Sequence, residues 1–196
     1  MKNSMEGEGE GEGVDAGRWR GLGFWRDVLW YFLVFAYVGH FIEMGWAWFC
    51  HLVLGEDLKT NILALPYEPY TIYGTGAVLM ILLVRPVVRK IKDNLLVTFL
   101  VATVVCAILE YVTSVVLVWQ YGRNPFWWYE DRAFNMGGHI CLENSILFGL
   151  LATVFLKLIY PLTEKLLRRG KQVVINVVLV GLMVAFVAYY VALALF

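Results

Sequence analysis

A chain of 196 residues that is 60% hydrophobic, only 16% charged and of formal net charge +0, with mean hydropathy +0.67, does not have the composition of a water-soluble domain, in which about a quarter of residues are charged. It reads as an all-α membrane protein whose first partner is the lipid bilayer, and neither nucleic acid nor a cofactor is expected. No GxxxxGK[ST] phosphate loop occurs anywhere in the sequence.

In chain order, residues 1–24 form an acidic, glycine-rich tail (MKNSMEGEGEGEGVDAGRWR and the following GLGF) with nothing to bury, expected to be disordered over about its first sixteen residues. It is too long and acidic for a cleavable signal. Residues 25–196 then hold the transmembrane domain. At 1.5 Å per helical residue, four segments are long enough to cross roughly 30 Å of hydrocarbon: Val28–Leu54, Asn94–Trp119, His139–Tyr160 and Val173–Phe196. Thr71–Val84 is shorter and punctuated by glycine, and makes a fifth crossing if its flanking residues sit at the interfaces. Cys50, Cys106 and Cys141 form no CxxC pair and read as small packing residues.

Lys and Arg alternate from one connection to the next, thirteen on the tail, second and fourth connections against three (Lys59, Arg123, Arg132) on the others. This predicts a cytoplasmic N-terminus and an external C-terminus, with two aromatic-rich outer loops, LGEDLKTNILALPYEPYTIYG and YGRNPFWWYEDRAFNMGG. Both loops read either as an aromatic belt or as a packed pair, with Asn61 and Asn135 held by partners over the mouths of the first and third helices.

Three acids, Glu43, Glu110 and Glu143, fall in the outer half of the spans. Each costs on the order of 3 kcal/mol near a helix centre on insertion scales, so they should face one another, a counter-charge or water. His40 precedes Glu43 by three residues and His139 precedes Glu143 by four, spacings that share a helix face. Hydrogen-bonded packing, a path for a polar solute or protons, and a metal-binding cluster are all compatible with that pattern. The stretch NMGGHICLEN is expected to start the fourth helix, with Asn135 near its N-cap and the Gly137-Gly138 step turning the chain inward. Glu143 would then join Glu110 and Glu43 in a pH-sensitive outward pocket. An acid, an aromatic loop and a glycine-containing helix entry (IYGTG, MGGHI) recur in the first two hairpins, a weak internal repeat of the kind seen in transporters.

GHFIE at 39–43, N…LPYEPYTIYGTG at 61–76, LEYVTS at 109–114 and WWYEDRAFNMGGHICL at 127–142 resemble the motifs of small bacterial membrane proteins known as ABC-transporter type IV permeases, the CmpB-like family. The resemblance covers about residues 35–150 and carries over Gly39, Glu43, Asn61, Ile72, Tyr73, Gly74, Gly76, Glu110, Tyr111, Trp127, Tyr129, Phe134, Asn135, Gly138 and Ile140. His40 stands where the family tends to have Trp, Ile62-Leu63 where it has Arg-Gly, Tyr67-Glu68 where it has Gly-Pro, Thr71 where it has Pro, Trp128 where it has Asp, and His139 where it has Arg. A metal role for the two histidines would therefore be peculiar to this chain, and the loop departures bear on whether it shares the family's usual ligand.

The resemblance implies a permease-like transport component in the bacterial cytoplasmic membrane. Five spans are few for a complete path, which points to a homodimer or a partner membrane subunit, and without a GxxxxGK[ST] loop any ATPase working with the chain would have to be a separate polypeptide. The solute, small and polar or cationic, would meet Glu43, Glu110, Glu143, Asn135, Asn61, Tyr73, Trp127, Tyr129, Arg132, His139 and His40. An intramembrane enzyme acting on a lipid headgroup, with Asn135 and Arg132 on a phosphate, and a structural or assembly protein are the alternatives; the sequence offers the enzyme no nucleophile–base pair.

Overall fold

A computed structural model describes residues 21–55, 68–91 and 94–195. Among them are five helices long and apolar enough to span a bilayer, and the protein is a multi-pass membrane protein. The first, α1, is Leu22–Phe49 with a closing π-helical turn, Cys50–Leu54. The second, α2, runs Thr71–Leu79, passes through a π-helical turn at Met80–Val84 and ends as Arg85–Lys90. An uninterrupted α3 covers Leu95–Tyr121. The fourth, α4, runs Leu142–Val154, a π-helical turn at Phe155–Ile159, then Tyr160–Arg169. The last, α5, is Gln172–Leu195. The short crossing at Thr71 is thus longer than the apolar run alone suggests, because Arg85–Lys90 continues it. Of the expected tail, residues 1–20 lie outside the described residues, as does most of the first outer loop with Asn61.

Local chemistry sets the ends of α3. Asn94 is its N-cap, its side chain accepting from the amide of Val97 at 3.1 Å. Gly122 closes it in the left-handed conformation, φ 74°, with its amide on the carbonyl of Val118. In α2 and α4 the π-helical turns each precede a proline, Pro86 and Pro161, within the first two residues of the following helical stretch. A proline cannot donate to the preceding turn and crowds its carbonyl, and a widened turn accommodates this.

The helices pack in sequence, α1 on α2, α2 on α3 and α3 on α4, while α5 rests on α1 and buries little of itself. At the α1–α2 crossing the backbones come so close that a Cβ on Gly74 would collide with the carbonyl oxygen of Phe32, and one on Gly39 would lie 2.6 Å from the Tyr73 ring. Small residues permit such approach where no hydrophobic drive assists helix association in lipid.

The core lies toward the end opposite the 122–141 loop. There Tyr31 and Phe35 of α1 meet Phe155 and Tyr160 of α4, with ring centroids 4.9–6.3 Å apart, and the Tyr31 hydroxyl is 2.9 Å from that of Thr163. Arg85 of α2 lies 4.4 Å above the Tyr160 ring and 3.5 Å from Glu164, which also pairs with Arg168. This is the basic end of the molecule. Toward the loop end α1 and α4 part.

Candidate functional site

The polar residues of α1–α4 gather at the loop end in two linked clusters. Glu43 accepts a 2.5 Å hydrogen bond from the Tyr73 hydroxyl, joining α1 to α2. Glu110 of α3 is only 3% exposed. Its Oε1 accepts from the Tyr129 hydroxyl at 3.0 Å and from Nδ2 of Asn144 at 2.9 Å, and Asn144 also donates to the Tyr129 oxygen at 2.7 Å. Its Oε2 is buried with no hydrogen-bond partner among the described residues. Tyr73, the partner of Glu43, lines the same cavity as Glu110, and neither acid pairs with a cation among the described residues.

Beside these acids a cavity of about 180 Å³ opens between α1, α2, α3 and α4. Phe35, Val38 and Ile42 form one side, Phe148, Leu151 and Phe155 another, and Tyr73 and Glu110 are its polar wall. Ile42, Leu151 and Val154 at its rim are 36%, 38% and 41% exposed, so the cavity reaches the lipid-facing surface where α1 and α4 part.

The loop above is a buried-polar construction. Asn124 is nearly buried; its Oδ1 accepts from the amides of Phe126 and Trp127, and its Nδ2 donates to Ser114 Oγ at 2.9 Å. Ser114 shares a 2.9 Å hydrogen bond with Nδ1 of His139, whose ring stands edge-on between Tyr111 and Trp128. Trp127 donates its indole N–H to the His139 carbonyl. Together these bonds hold Tyr129 over Glu110. The Tyr129 phenol is raised above its ordinary value by burial and by the Glu110 charge, so it stays a neutral donor. Tyr70, at the start of α2, is pushed up to about 12 by burial and by the charges of Glu68 and Glu43. Replacing Asn124 with alanine strands two backbone amides and loosens Ser114; we expect a loss of about 2 kcal/mol, read as a lowered melting temperature, with Trp fluorescence showing the displaced loop.

Several sequence expectations change here. The fourth helix does not start within NMGGHI: Asn135–Met136 and Ile140–Cys141 form a two-stranded antiparallel ribbon, and the helix begins at Leu142 with no side-chain cap. Asn135 instead caps the turn, its Oδ1 accepting from Gly138 and its Nδ2 donating to the carbonyls of Arg132 and Glu130. Gly137 and Gly138 take φ 58° and 75°, and Trp128 packs so closely on Gly138 that no Cβ fits there. His139 therefore shares no helix face with Glu143. Glu143 itself is exposed and sits 3.8 Å from Arg132, also exposed, a surface pair of small energetic worth. It does not join Glu43 and Glu110; Asn144, the next residue, does. His40 is buried against Tyr70 and is not hydrogen-bonded through Nδ1, so it forms no pair with Glu43 by that atom. Among the described residues no group of three His, Cys, Asp or Glu side chains is placed to hold a metal ion.

Asn144, Ser114 and Asn124 are the members that sequence reading missed. A signal for Asn144 exists: Asn144, Phe148 and Leu151 are spaced i, i+4, i+7 and reach the cluster or the cavity, whereas Glu143, Ile146 and Leu150 share the exposed face.

Glu43, Tyr73, Gly74, Glu110, Trp127, Tyr129 and Asn135, the motif positions quoted above, thus converge on one end of the bundle. The family model described as "Putative ABC-transporter type IV" matches residues 30–193. The chain belongs to this ABC-transporter type IV family. No curated protein and no solved structure matches it. Membership places the chain among transport-related membrane proteins, and the match extends through α5, beyond the motif-bearing region.

Proposed function

We propose that this chain is the membrane-spanning, permease-type component of a transporter in the bacterial cytoplasmic membrane, acting as a homodimer or with a partner membrane subunit and driven by a separate ATPase. The N-terminus and the basic end face the cytoplasm, and the loop end faces outward. The observation that carries this reading is the pair of intramembrane acids, Glu43 and Glu110, held by tyrosines from other elements beside a cavity, with one oxygen of Glu110 left for a ligand. A carboxylate oxygen buried without a partner costs about 1–3 kcal/mol, more for a charged group, and is retained where it is used. The solute is cationic, because Glu110 lines the cavity and Glu43 is bonded to Tyr73 in its wall, neither with a counter-charge among the described residues.

The test is co-purification of the full chain with its ATPase subunit, followed by reconstitution in liposomes. A cationic solute should stimulate ATP hydrolysis and accumulate in the lumen, and Glu110→Gln should abolish the stimulation without lowering the amount of folded protein. If Glu43→Gln and Glu110→Gln reduce abundance and function in proportion, the acids only pack helices and the permease reading fails.

A further inference from the structure

The cavity has an unusual combination of features for a transport site. Its walls are apolar apart from Tyr73 and Glu110, its rim is at the lipid-facing surface, and its one acid is 3% exposed with Oε2 unpartnered. We propose that it binds an amphiphilic primary amine that enters sideways from the bilayer between α1 and α4, placing its ammonium on Oε2 of Glu110 and its first carbons against Phe35, Val38 and Phe148.

Three observations select this class. A small hydrated cation would lose its water shell to a pocket that returns few polar contacts, and desolvating a charge without replacing its hydrogen bonds is costly. An ammonium on an alkyl chain needs fewer replacements: Glu110 Oε2 accepts one N–H, and the Tyr73 oxygen, whose proton is given to Glu43, keeps lone pairs for another. The size fits the head of such a molecule and not the whole of it. An apolar cavity of about 150 Å³ holds one benzene, so 180 Å³ takes a headgroup and roughly six carbons, and a longer tail passes out over Ile42 and Leu151 into lipid. A neutral amphiphile of the same shape fills the walls and forgoes the charge-assisted hydrogen bond. The inference rests on the permease reading only for what becomes of the bound molecule.

The experiment uses the full chain in phosphatidylcholine nanodiscs, whose headgroups carry no N–H donor. A photoreactive eight-carbon alkylamine is crosslinked and its attachment sites are mapped by mass spectrometry. Labelling should concentrate on cavity and rim residues, such as Phe148 and Leu151, and be displaced by octylammonium but not by ethylammonium, with octanol at least about tenfold weaker. Glu110→Gln, which keeps an acceptor for Tyr129 and Asn144, should weaken octylammonium competition by about tenfold or more, as expected from losing one charge-assisted hydrogen bond. Val154→Trp, a rim change away from the polar cluster, should block labelling by closing the mouth. Label spread evenly over the lipid-facing helices, ethylammonium competing as well as octylammonium, or competition unchanged in both variants would each overturn the proposal. Absent cavity labelling with intact solute-stimulated ATP hydrolysis refutes this inference alone; cavity labelling without any transport refutes the permease reading alone.

Discussion

Glu110→Ala is expected to destabilise the protein by about 3 kcal/mol, lowering its melting temperature in detergent by roughly 6–12 °C, whereas Glu110→Gln stays within about 1 kcal/mol of the parent. Two opposed effects decide this. Alanine removes a buried oxygen that has no partner, which is a gain. It also strands the Tyr129 hydroxyl and the Asn144 amide, both aimed at Oε1, at about 1–3 kcal/mol for each unsatisfied group. It leaves a void as well, where α3 meets α4 and the loop, and that adds a cavity term. The two stranded donors still bond each other at 2.7 Å, so the sum falls short of the maximum. Glutamine keeps an acceptor in place and retains the volume. Equal losses from alanine and glutamine would show that the charge, and not the hydrogen-bond geometry, organises the cluster.

Gly74→Val should be at least as damaging, by about 3 kcal/mol or more, and should disperse the site as well. Its Cβ would press into the backbone carbonyl of Phe32, which cannot rotate away as a side chain can. Overfilling a packed contact usually costs about 1–3 kcal/mol, and here relief requires α1 and α2 to move apart. Tyr73, one residue earlier, would then withdraw from Glu43, and Tyr70 would be pulled from the Ala36 carbonyl that its amide meets at 2.9 Å. Gly45→Val, on the same α1 but with nothing near its Cβ position, is the control and should be tolerated. Melting curves of both variants in one detergent check the pair, and similar losses would mean that the crossing is not tight.

The spans could be read from sequence because lipid imposes two demands at once, an apolar run of sufficient length and a helix to satisfy the backbone. The α3 boundaries follow from Asn94 and Gly122, a capping side chain and a residue free to turn left-handed. The acids Glu43 and Glu110 were also legible, since an ionisable residue in a span demands partners. The position of Glu143 was not: one residue along a helix is a rotation of about 100°, and the choice between Glu143 and Asn144 turns on the phase of Phe148 and Leu151, not on which side chain carries charge. Nor could the ribbon around Gly137-Gly138 be read from spacing, because the left-handed positions at Phe134, Gly137 and Gly138 break the helical count before His139. The cavity arises from the parting of α1 and α4, a relation between elements distant in sequence.

The two proline-linked π-helical turns make α2 and α4 jointed limbs. Their joints sit at one level, where Arg85 reaches across to Tyr160 and Glu164, and Met80, Phe155 and Ile159 at the joints also line the cavity. No proline occurs in α1 or α3, so neither carries such a joint. Neither Pro86 nor Pro161 can supply a backbone hydrogen bond at its joint. The segments beyond them carry Tyr73 on one limb and Asn144 on the other, so each joint lies between the basic end and a side chain that holds one of the acids, Glu43 on α1 or Glu110 on α3.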